Sequence, residues 1–419
     1  MALAEQAFAK SLGRPVRPGE FVEVEPDVIL GHDLGMPLAI SIVKDLTGKV
    51  CSPSRCAIVM DHLVPAPSDA IAAGQRLVRQ WAIEQDIQNY FEVGWGVCHQ
   101  LVLEEAIALP GRIVAGADSH TPTCGALGAL GIAIGVTELG VALATGKLWL
   151  MVPETLVFKV TGSLPAGVHT KDVALRLLGD IATRKIPVDY KVVEFVGPAL
   201  AGLSIGDRAA LCNMMAEAGV KSAIVRPDRV VADYLRAQGS KEAIAAADAI
   251  ADAEECAVEA YNIDLGSLSP LVAVPYSPQS VKPVEEVDVA IDQAYLGSCT
   301  NGRIEDLRAA AAILKGRKVH RGVRMLVAPA SSRTLMQAAK EGVLDILIEA
   351  GAVITGCSCG ACFGGHTGLL AEGERCISST NRNFRARMGH AGSEVYLASA
   401  ATVAASAIAG RITDPRRYL

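Results

Sequence analysis

Short apolar runs recur along this chain and predict strands separated by helices. Residues Phe21–Glu25 and Thr155–Thr161 alternate between apolar and polar with a period of two, which predicts strands with one face exposed. Residues Ala57–Met60 and Arg112–Ala115 are short and largely apolar, which is typical of buried strands. A helical period follows over residues 69–86. Strands alternating with helices predict parallel sheets covered by helices on both faces, and therefore an α/β fold.

The remaining elements extend this alternation to the end of the chain. We expect helices over residues 171–184, 206–218, 240–262, 304–314, 335–348 and 394–409, the last with Ser393 as its N-cap. We expect strands over residues 191–196, 287–296, 323–327, 353–355 and 376–378. A Gly/Ala-rich passage over residues 125–148 is predicted to pack as close helices.

Two breaks in composition divide the chain into three predicted domains. Pro153 precedes the alternating strand Thr155–Thr161, which places one boundary near residue 152. A stretch rich in proline and serine, residues 266–283, is the best candidate for a linker. The predicted α/β domains therefore cover residues 1–152, 153–284 and 285–419.

Charge and composition exclude several classes of protein. The chain has 419 residues, a net charge of −6 and no Lys/Arg run, which argues against a nucleic-acid surface. No apolar stretch reaches transmembrane length without a charge or a glycine. The N-terminus reads as an amphipathic helix and lacks the pattern of a signal peptide, so we expect a cytoplasmic protein. Its eleven cysteines are then expected to be reduced.

Three cysteines close together in a glycine-rich stretch are the strongest chemical signal. Cys357, Cys359 and Cys362 lie within six residues, near His366. Such spacing in an intracellular protein indicates metal or redox chemistry, and thiolates suit zinc, copper(I) or iron–sulfur clusters. The best candidate for a further ligand is Cys299, where an apolar run stops at a Gly-Ser turn. We predict that Cys299, Cys359 and Cys362 hold one iron–sulfur cluster, with both motifs at the carboxyl ends of parallel strands.

Histidine and aspartate follow several predicted strands. His62, preceded by Asp61, is one such residue, and His99 and the pair Asp118 and His120 are others. The carboxyl ends of strands are where open α/β sheets place their ligand sites, and an aspartate beside a histidine can orient its imidazole. The simpler alternative is that Asp118 and its polar neighbours only terminate turns.

Two further sets of charged residues are candidates for the same site. Glu194 lies inside an apolar strand, where it either faces solvent or reaches a site, because an unpaired buried charge is costly. Arg382, Arg385 and Arg387 follow the predicted strand 376–378 directly after the cysteine loop. Arginines placed there can clamp carboxylates with two hydrogen bonds each, so an acidic ligand is favoured over a solvated basic loop.

Several of these segments match one family in order along nearly the whole chain. The motifs are Gly297–Asn301 (Gly-Ser-Cys-Thr-Asn), Cys359–Cys362 (Cys-Gly-Ala-Cys), Asn381–Phe384 with Arg387, Gly116–Pro122 (Gly-Ala-Asp-Ser-His-Thr-Pro) and Cys98–Gln100 (Cys-His-Gln). Together they resemble the aconitase superfamily. The length is similar to that of the large subunits of its two-subunit dehydratases. The resemblance implies three α/β domains around a central iron–sulfur site, with a fourth, swivelling domain absent.

The resemblance also implies roles for individual residues. It implies a 4Fe–4S cluster held by Cys299, Cys359 and Cys362, with Cys357 as an extra thiol. The implied active-site residues are Asp61, His62, His99, Asp118, His120 and Glu194, with Asp118 and Glu194 as carboxylate partners of His99 and His120. Arg382 and Arg387 resemble the arginines that bind substrate carboxylates.

The implied activity is that of a hydro-lyase that moves a hydroxyl between adjacent carbons of a malate-type acid. Isopropylmalate is the commonest substrate of such sequences, and homoaconitate and 2,3-dimethylmalate are the alternatives. In aconitases the catalytic base is a serine in a Ser-Ser-Arg motif of the swivelling domain. The match by letters here, Ser331–Arg333, lies at the start of a predicted helix and is interpreted as a cap. The chain therefore needs a small subunit, in a heterodimer or heterotetramer.

Two other interpretations of the cysteines remain. A structural zinc site could use Cys299, Cys359 and Cys362 with one histidine such as His366. A redox protein could use Cys359 and Cys362 as a dithiol, but the surrounding histidines, aspartates and arginines have no role in that interpretation.

Overall fold

The amino-terminal part of the molecule is built on a five-stranded parallel sheet. The computed structural model describes residues 2–250 and 260–419. The strand order of the sheet is β4-β3-β2-β5-β6, and strands β1 and β7 form a separate antiparallel ribbon. The strands are β1 (Phe21–Val24), β2 (Val28–His32), β3 (Cys56–Val59), β4 (Asn89–Phe91), β5 (Ile113–Gly116), β6 (Leu130–Ala133) and β7 (Leu148–Met151). The helices are α1 (Leu3–Leu12), α2 (Met36–Leu46), α3 (Asp69–Glu84), α4 (Cys98–Glu104) and α5 (Val136–Thr145).

A four-stranded parallel sheet follows, in the order β10-β9-β8-β11. Its strands are β8 (Thr155–Thr161), β9 (Val192–Val196), β10 (Ser222–Val225) and β11 (Ala260–Asp264). Its helices are α6 (Thr170–Arg184), α7 (Ile205–Met215), α8 (Arg229–Gln238) and α9 (Lys241–Asp248).

The carboxyl-terminal part forms a seven-stranded mixed sheet, in the order β13-β12-β18-β17-β14-β15-β16. Its strands are β12 (Leu271–Ala273), β13 (Val281–Pro283), β14 (Gln293–Gly297), β15 (Arg324–Ala328), β16 (Val353–Ile354), β17 (Arg375–Ser378) and β18 (Glu394–Leu397). Its helices are α10 (Ser298–Asn301), α11 (Ile304–Leu314), α12 (Ser332–Lys340), α13 (Val343–Ala350) and α14 (Ala400–Ala409). Strands β14 to β18 run parallel, and β12 is antiparallel to β13 and β18.

Short 3-10 turns complete the described elements. They cover Pro53–Arg55, Thr121–Leu127, Pro198–Gly202, Ala216–Ala218, Leu265–Ser267, Val284–Glu286, Gly360–Phe363 and Pro415–Tyr418. Over residues 2–250 and 260–419, no helix combines the length and the apolar character needed to cross a membrane.

Four sequence predictions of secondary structure are corrected. The passage 125–148, predicted as close helices, contains strand β6 and helix α5, with strand β7 beginning at its end. The helix predicted over 240–262 ends at Asp248, its residues 251–259 lie outside the described part, and strand β11 begins at residue 260. The helix predicted over 335–348 is two helices, separated at Gly342, which adopts a left-handed conformation (φ 70°).

The fourth correction concerns the last helix. Residues 394–397 form strand β18, and helix α14 starts only after Ser399, whose side chain accepts a hydrogen bond from the amide of Thr402. Ser393 is therefore not the N-cap. The run Val395–Leu397 is buried and contains a β-branched and an aromatic residue, which suits a strand in the interior of the mixed sheet.

Each of the three sheets lies largely within one of the three predicted domains. The exception is the stretch predicted as a linker, residues 266–283, which supplies β12 and β13 to the seven-stranded sheet. The boundaries near residues 152 and 284 stay a prediction.

Strands of the first and third sheets lead, at their carboxyl ends, into loops that carry polar residues. In the first sheet, β2 ends at His32, β3 leads to Asp61, and β5 leads to Asp118. In the third sheet, β14 leads to Cys299 and β17 leads to Arg382. The loops at these strand ends carry most of the predicted site, as the ligand-binding rule for open α/β sheets leads one to expect.

The segment that carries His120 packs tightly against the second sheet. A Cβ atom added at Gly125 would lie 1.8 Å from the carbonyl oxygen of Ala223 in β10. Only a residue without a side chain allows this approach, so Gly125 fixes the distance between the first and second sheets at the turn Thr121–Leu127.

We expect Gly125→Ala to destabilise the protein, because the new methyl group must displace backbone and not a flexible side chain. Overpacking of this kind costs about 3 kcal/mol. Gly74→Ala in helix α3 is the matched control: its Cβ would lie 3.8 Å from Pro37, an ordinary contact, and alanine favours a helix by about 1 kcal/mol over glycine. Thermal unfolding should show a lower midpoint for Gly125→Ala alone. Equal midpoints would contradict this account of the packing.

Candidate functional site

Asp33 organises the loop that follows strand β3. Its carboxylate accepts hydrogen bonds from the backbone amides of Asp61 (3.3 Å), His62 (2.9 Å) and Leu63 (2.9 Å). The side chain of Asp33 is buried, and three amides replace the water that it loses on folding. This residue was not predicted from the sequence, although Asp33 follows His32 at the end of a strand as Asp61 and His62 do.

Asp61 and His62 form a buried pair. The Nδ1 atom of His62 lies 2.7 Å from Oδ1 of Asp61, and the His62 ring stacks on that of His32 with centroids 4.2 Å apart. Burial by itself would lower the pKa of His62, but the charges of Cys359 and Asp61 and hydrogen bonds to Asp118 and Asp61 raise that pKa well above its usual value. These contacts favour the protonated form of the His62 imidazole.

Asp118 joins three histidines. Its Oδ1 atom lies 2.6 Å from Nε2 of His99 and accepts the backbone amide of His120 at 2.7 Å. Its Oδ2 atom lies 3.6 Å from Nε2 of His62. Burial would raise the pKa of Asp118, but His99 and hydrogen bonds from His120, His62 and His99 hold it well below its usual value. The structure thus brings the predicted residues His62, His99, Asp118 and His120 into one network.

The carboxylate partner of His120 is Glu217. Nε2 of His120 lies 2.8 Å from Oε1 of Glu217. Nε of Arg382 lies 2.8 Å from the same oxygen and 3.0 Å from Oε2. Burial would raise the pKa of Glu217, but His120 and Arg382 lower it, which favours the charged carboxylate.

The predicted pairing of His120 with Glu194 is therefore wrong. Glu194 lies on β9, forms a short ion pair with Arg226 and accepts the backbone amide of Leu3 at 3.2 Å. A guanidinium group neutralises the buried charge there, so Glu194 neither faces solvent nor reaches His120, and the role that the family resemblance implied for it is not supported.

Glu217 escaped notice because it lies at the end of a helix, where a glutamate is ordinary. One signal could have found it. Asn213 and Glu217 are four residues apart in a helical stretch whose other buried residues include Leu211 and Met214. Residues four apart share one helix face. Two polar residues on one face of an apolar helix indicate a polar site beside it.

The three predicted cluster cysteines come from two loops that meet in space. Cys299 and Cys359 pack in one small cluster with Val97, Ala330 and the half-buried Phe363. The amide of Asn381 spans two of the thiols, with Nδ2 3.6 Å from Sγ of Cys299 and Oδ1 3.4 Å from Sγ of Cys362.

The same thiols affect one another's pKa values. Burial and the nearby charge of Cys362 raise the pKa of Cys299 to about 12. Burial also raises the pKa of Cys359, with a contribution from Cys299 and an opposing one from His62. Burial and the charge of Glu104 raise the pKa of the extra thiol, Cys357, to about 11.

The donor set fits an iron–sulfur cluster. Three buried thiols converge, and Asn213 adds a second amide, with Nδ2 3.3 Å from Sγ of Cys299. Amide N–H groups aimed at ligand sulfurs are the outer contacts that tune such clusters. Thiols whose pKa values are raised by one another's charge become easier to deprotonate once metal cations lie among them.

A separate group of possible ligand atoms lies on the first sheet. His32, Asp33, Asp61 and His62 each place one such atom within 4.8 Å of the others. Asp33 and Asp61 already accept backbone amides, and His62 is bonded to Asp61. This group is therefore built as a hydrogen-bonded acid–base network and not as a metal cage.

The two predicted substrate arginines lie in different environments. Arg382 is bonded to Glu217 through Nε. Arg387 is partly buried, and within the described part of the chain its Nε has no hydrogen-bond partner. An unsatisfied guanidinium N–H beside the cysteine loop suits an anionic ligand. Arg385 lies over the ring of Tyr276, 4.4 Å from its centroid.

The structure weakens the zinc interpretation. His366, its suggested fourth ligand, is half-buried, with Nε2 2.9 Å from the carbonyl oxygen of Pro65 and Nδ1 2.7 Å from Oγ1 of Thr367. Both ring nitrogens are thus engaged outside the cysteine group.

Ser331 is confirmed as a helix cap. Its Oγ accepts the amide of Thr334 at 3.1 Å and donates to Glu104 at 2.7 Å, and the side chain is fully buried. A serine engaged in this way is not placed to remove a substrate proton.

Comparison with known proteins agrees with this architecture. The model of the aconitase family (aconitate hydratase) matches residues 9–290 and 282–410. The 3-isopropylmalate dehydratase large subunit 1 of Methanopyrus kandleri is 44% identical over 100% of this chain and 99% of its own length. The large subunit of the same name from Sulfurovum sp. is 44% identical over 99% of both chains, and that of Aquifex aeolicus is 44% identical over 99% of this chain and 97% of its own.

Among solved structures, the holo form of Thermococcus kodakaraensis aconitase X is similar over 91% of this chain and 89% of that chain. Its sequence identity of 11% and TM-score of 0.48 are too low to support a further conclusion. The family model and the full-length relatives, together with the cysteine, histidine and arginine groups described above, establish that this chain belongs to the aconitase family.

Proposed function

We propose that this chain is the large subunit of a 3-isopropylmalate dehydratase, a hydro-lyase of leucine biosynthesis. The observation that carries the proposal is the convergence of Cys299, Cys359 and Cys362 beside the acid–base network of His62 and Asp118. The substrate is taken from the names of relatives that are 42–44% identical over nearly their whole length. Homoaconitate and 2,3-dimethylmalate remain the alternatives.

Cys299, Cys359 and Cys362 would hold a 4Fe–4S cluster. Three protein ligands leave one iron without a cysteine, and when bound the cluster would supply a Lewis acid for the hydroxyl and a carboxylate of the substrate. The residues around it perform the acid–base part of the reaction.

His62 acts as the general acid in this proposal. Hydroxide is a poor leaving group, so the departing oxygen needs a proton, and general acid catalysis contributes about 10²–10⁴-fold. The pairing with Asp61 favours protonated His62 and fixes the orientation of the ring, so that Nε2 is the nitrogen that faces Asp118 and the site. Stacking on the His32 ring restricts the His62 ring to this orientation.

The remaining residues orient water and substrate. His99 with Asp118 and His120 with Glu217 hold imidazole rings at fixed angles through hydrogen bonds of 2.6–2.8 Å. Arg387 offers an unpaired N–H to a substrate carboxylate. Arg382 would share its guanidinium group between Glu217 and a second carboxylate.

The base that removes the carbon-bound proton is assigned to a separate small subunit. The only Ser-Ser-Arg match in the sequence is used as a cap, and the relatives are named as large subunits. The pair would form a heterodimer or heterotetramer. Its cytoplasmic location stays a prediction.

Replacing a cluster ligand should abolish metal uptake. After anaerobic reconstitution with iron and sulfide, we expect Cys359→Ser to retain little iron and to lack the visible absorbance of the wild type. Cys357→Ser is the matched control, two residues away and also buried, and should bind iron normally. A full cluster in Cys359→Ser would refute the ligand assignment, and a colourless wild type loaded with zinc would favour the structural zinc site.

Activity should depend on the partner. The reconstituted chain alone should turn over isopropylmalate poorly, because it lacks the base, and addition of the small subunit should restore the rate. The same pair tested with homoaconitate and dimethylmalate identifies the substrate. Full activity of the isolated chain would contradict the proposal that the catalytic base lies on a separate subunit.

Glu217 and Glu194 can be separated by one pair of variants. Glu217→Gln keeps the shape but removes the charge between His120 and Arg382, so we expect kcat to fall about 10²-fold, within the range of acid–base effects. Glu194→Gln disturbs the ion pair with Arg226 and the contact with the Leu3 amide, neither of which touches His120, so the folded protein should keep its kcat. The measurement is the kcat of each variant, corrected for the fraction of protein that is folded, and it shows which glutamate serves the site. A larger loss for Glu194→Gln would reinstate the original assignment.

A further inference from the structure

Lys171 is a buried lysine that no step above uses. It lies on helix α6 and is 1% exposed. Its Nζ atom lies 3.0 Å from the carbonyl oxygen of Ser379, 2.5 Å from that of Thr380 and 3.2 Å from Sδ of Met214. Lysine is almost never fully buried unless it is paired with a carboxylate, and these three acceptors are uncharged. The position therefore calls for an explanation.

The number of acceptors indicates the charged form. An ammonium group has three N–H donors and no acceptor, whereas the neutral amine has two donors and a lone pair. Three acceptors around Nζ leave no place for a lone pair. Burial lowers the pKa of Lys171 to about 7, and Asp306, the thiols of Cys362 and Cys299, and Glu217 act in the opposite direction. Negative charge at those thiols would keep the lysine protonated.

The two carbonyl groups belong to the loop that serves the cysteines. Ser379 and Thr380 directly precede Asn381, whose amide lies between the Cys299 and Cys362 sulfurs. The next residue, Arg382, is the one paired with Glu217. Oγ of Ser379 also accepts the amide of Gly297 at 2.9 Å, which ties the loop to the turn before Cys299.

Lys171 thus connects two parts of the molecule far apart in sequence. It belongs to a helix of the second sheet, and the loop that it holds follows strand β17 of the third sheet. Removing the side chain would leave the carbonyl groups of Ser379 and Thr380 without the Nζ donor, and a buried carbonyl without a donor is destabilising. Its placement therefore bears on the geometry of Asn381 and Arg382.

We propose that Lys171 is a positioning residue that fixes the loop Ser379–Arg382 and supplies a buried positive charge to the cluster site. The inference rests on the proposed cluster at Cys299, Cys359 and Cys362. A cation in a low-dielectric interior acts strongly on nearby charges, and outer groups are known to tune cluster potentials. Since reduction adds negative charge to a cluster, a buried ammonium group beside it raises the reduction potential.

The test compares reduction potentials of full-length variants after anaerobic reconstitution with iron and sulfide. Lys171→Met and Lys171→Gln remove the charge, and Lys171→Arg retains it. We expect the potential, followed by EPR during a redox titration, to shift to more negative values in the Met and Gln variants and to stay near that of the wild type in the Arg variant. Lys171→Gln, which still donates two N–H groups, should retain more iron than Lys171→Met.

Lys221→Met is the matched control. Lys221 is a half-buried lysine that is also bonded to a backbone carbonyl, that of Ala133 at 3.2 Å, and its Nζ lies 5.2 Å from the centroid of the Tyr190 ring. It should leave both the potential and the iron content unchanged. Near-UV circular dichroism confirms folding first, and Lys171→Gln carries the comparison if Lys171→Met does not fold.

Two failures can be told apart. A wild-type chain that takes up no cluster would overturn the proposed function and this inference with it. A wild-type chain that loads a cluster, with folded Lys171→Gln at the same potential and iron content, would overturn the role of Lys171 alone.

Discussion

Asp61 connects the two halves of the site. One carboxylate oxygen is bonded to Nδ1 of His62 at 2.7 Å, and the other accepts the amide of Cys98 at 2.7 Å. Its backbone carbonyl accepts the amide of Cys359 at 3.0 Å. A single buried residue at the end of a strand of the first sheet therefore fixes both the proposed acid and the cysteine loop of the third sheet. Asp33 stabilises the same turn by accepting hydrogen bonds from the backbone amides of Asp61 and His62. Without the contacts of Asp61, the proposed acid His62 would no longer be held beside the cysteine loop.

Helices of the second sheet supply a layer of support behind the reactive groups. Asn213 and Glu217 come from α7 and the turn after it, and Lys171 comes from α6. Each contacts a group that belongs to the first or third sheet: a thiol, an imidazole or a loop carbonyl. In this account the first and third sheets present the reactive side chains, and the second sheet holds them at fixed distances. Gly125 contributes to the same end by allowing the first sheet to approach the second.

The sequence reveals the reactive residues better than their supports. Strand ends with aspartate and histidine, and cysteines among glycines, stand out because few structural roles call for those residue types there. Glu217 and Lys171 do not stand out, because glutamate and lysine on helices are usually solvated and only the tertiary structure buries them. Glu194 was assigned to the site by the family resemblance. Its neutralising partner, Arg226, lies 32 residues away and is brought near only by strand pairing.

The prediction of secondary structure was wrong where the local composition favours one element and the tertiary environment favours another. Residues 394–409 resemble one apolar helix, but the first four form a strand in the interior of the mixed seven-stranded sheet, and only the cap at Ser399 marks the change. The alanine-rich passage 125–148 contains a strand for a similar reason, since small residues fit either element and packing decides.

The central claim is that three thiols of this chain hold a cluster with one iron open to substrate, next to an acid supplied by the first sheet. Mössbauer spectroscopy of the protein reconstituted with ⁵⁷Fe, alone and with isopropylmalate in the presence of the small subunit, tests it most directly. The account predicts four irons, one of which changes its spectrum when substrate is added while the other three do not. Four irons that are all indifferent to substrate, or a site that takes up no iron, would contradict it.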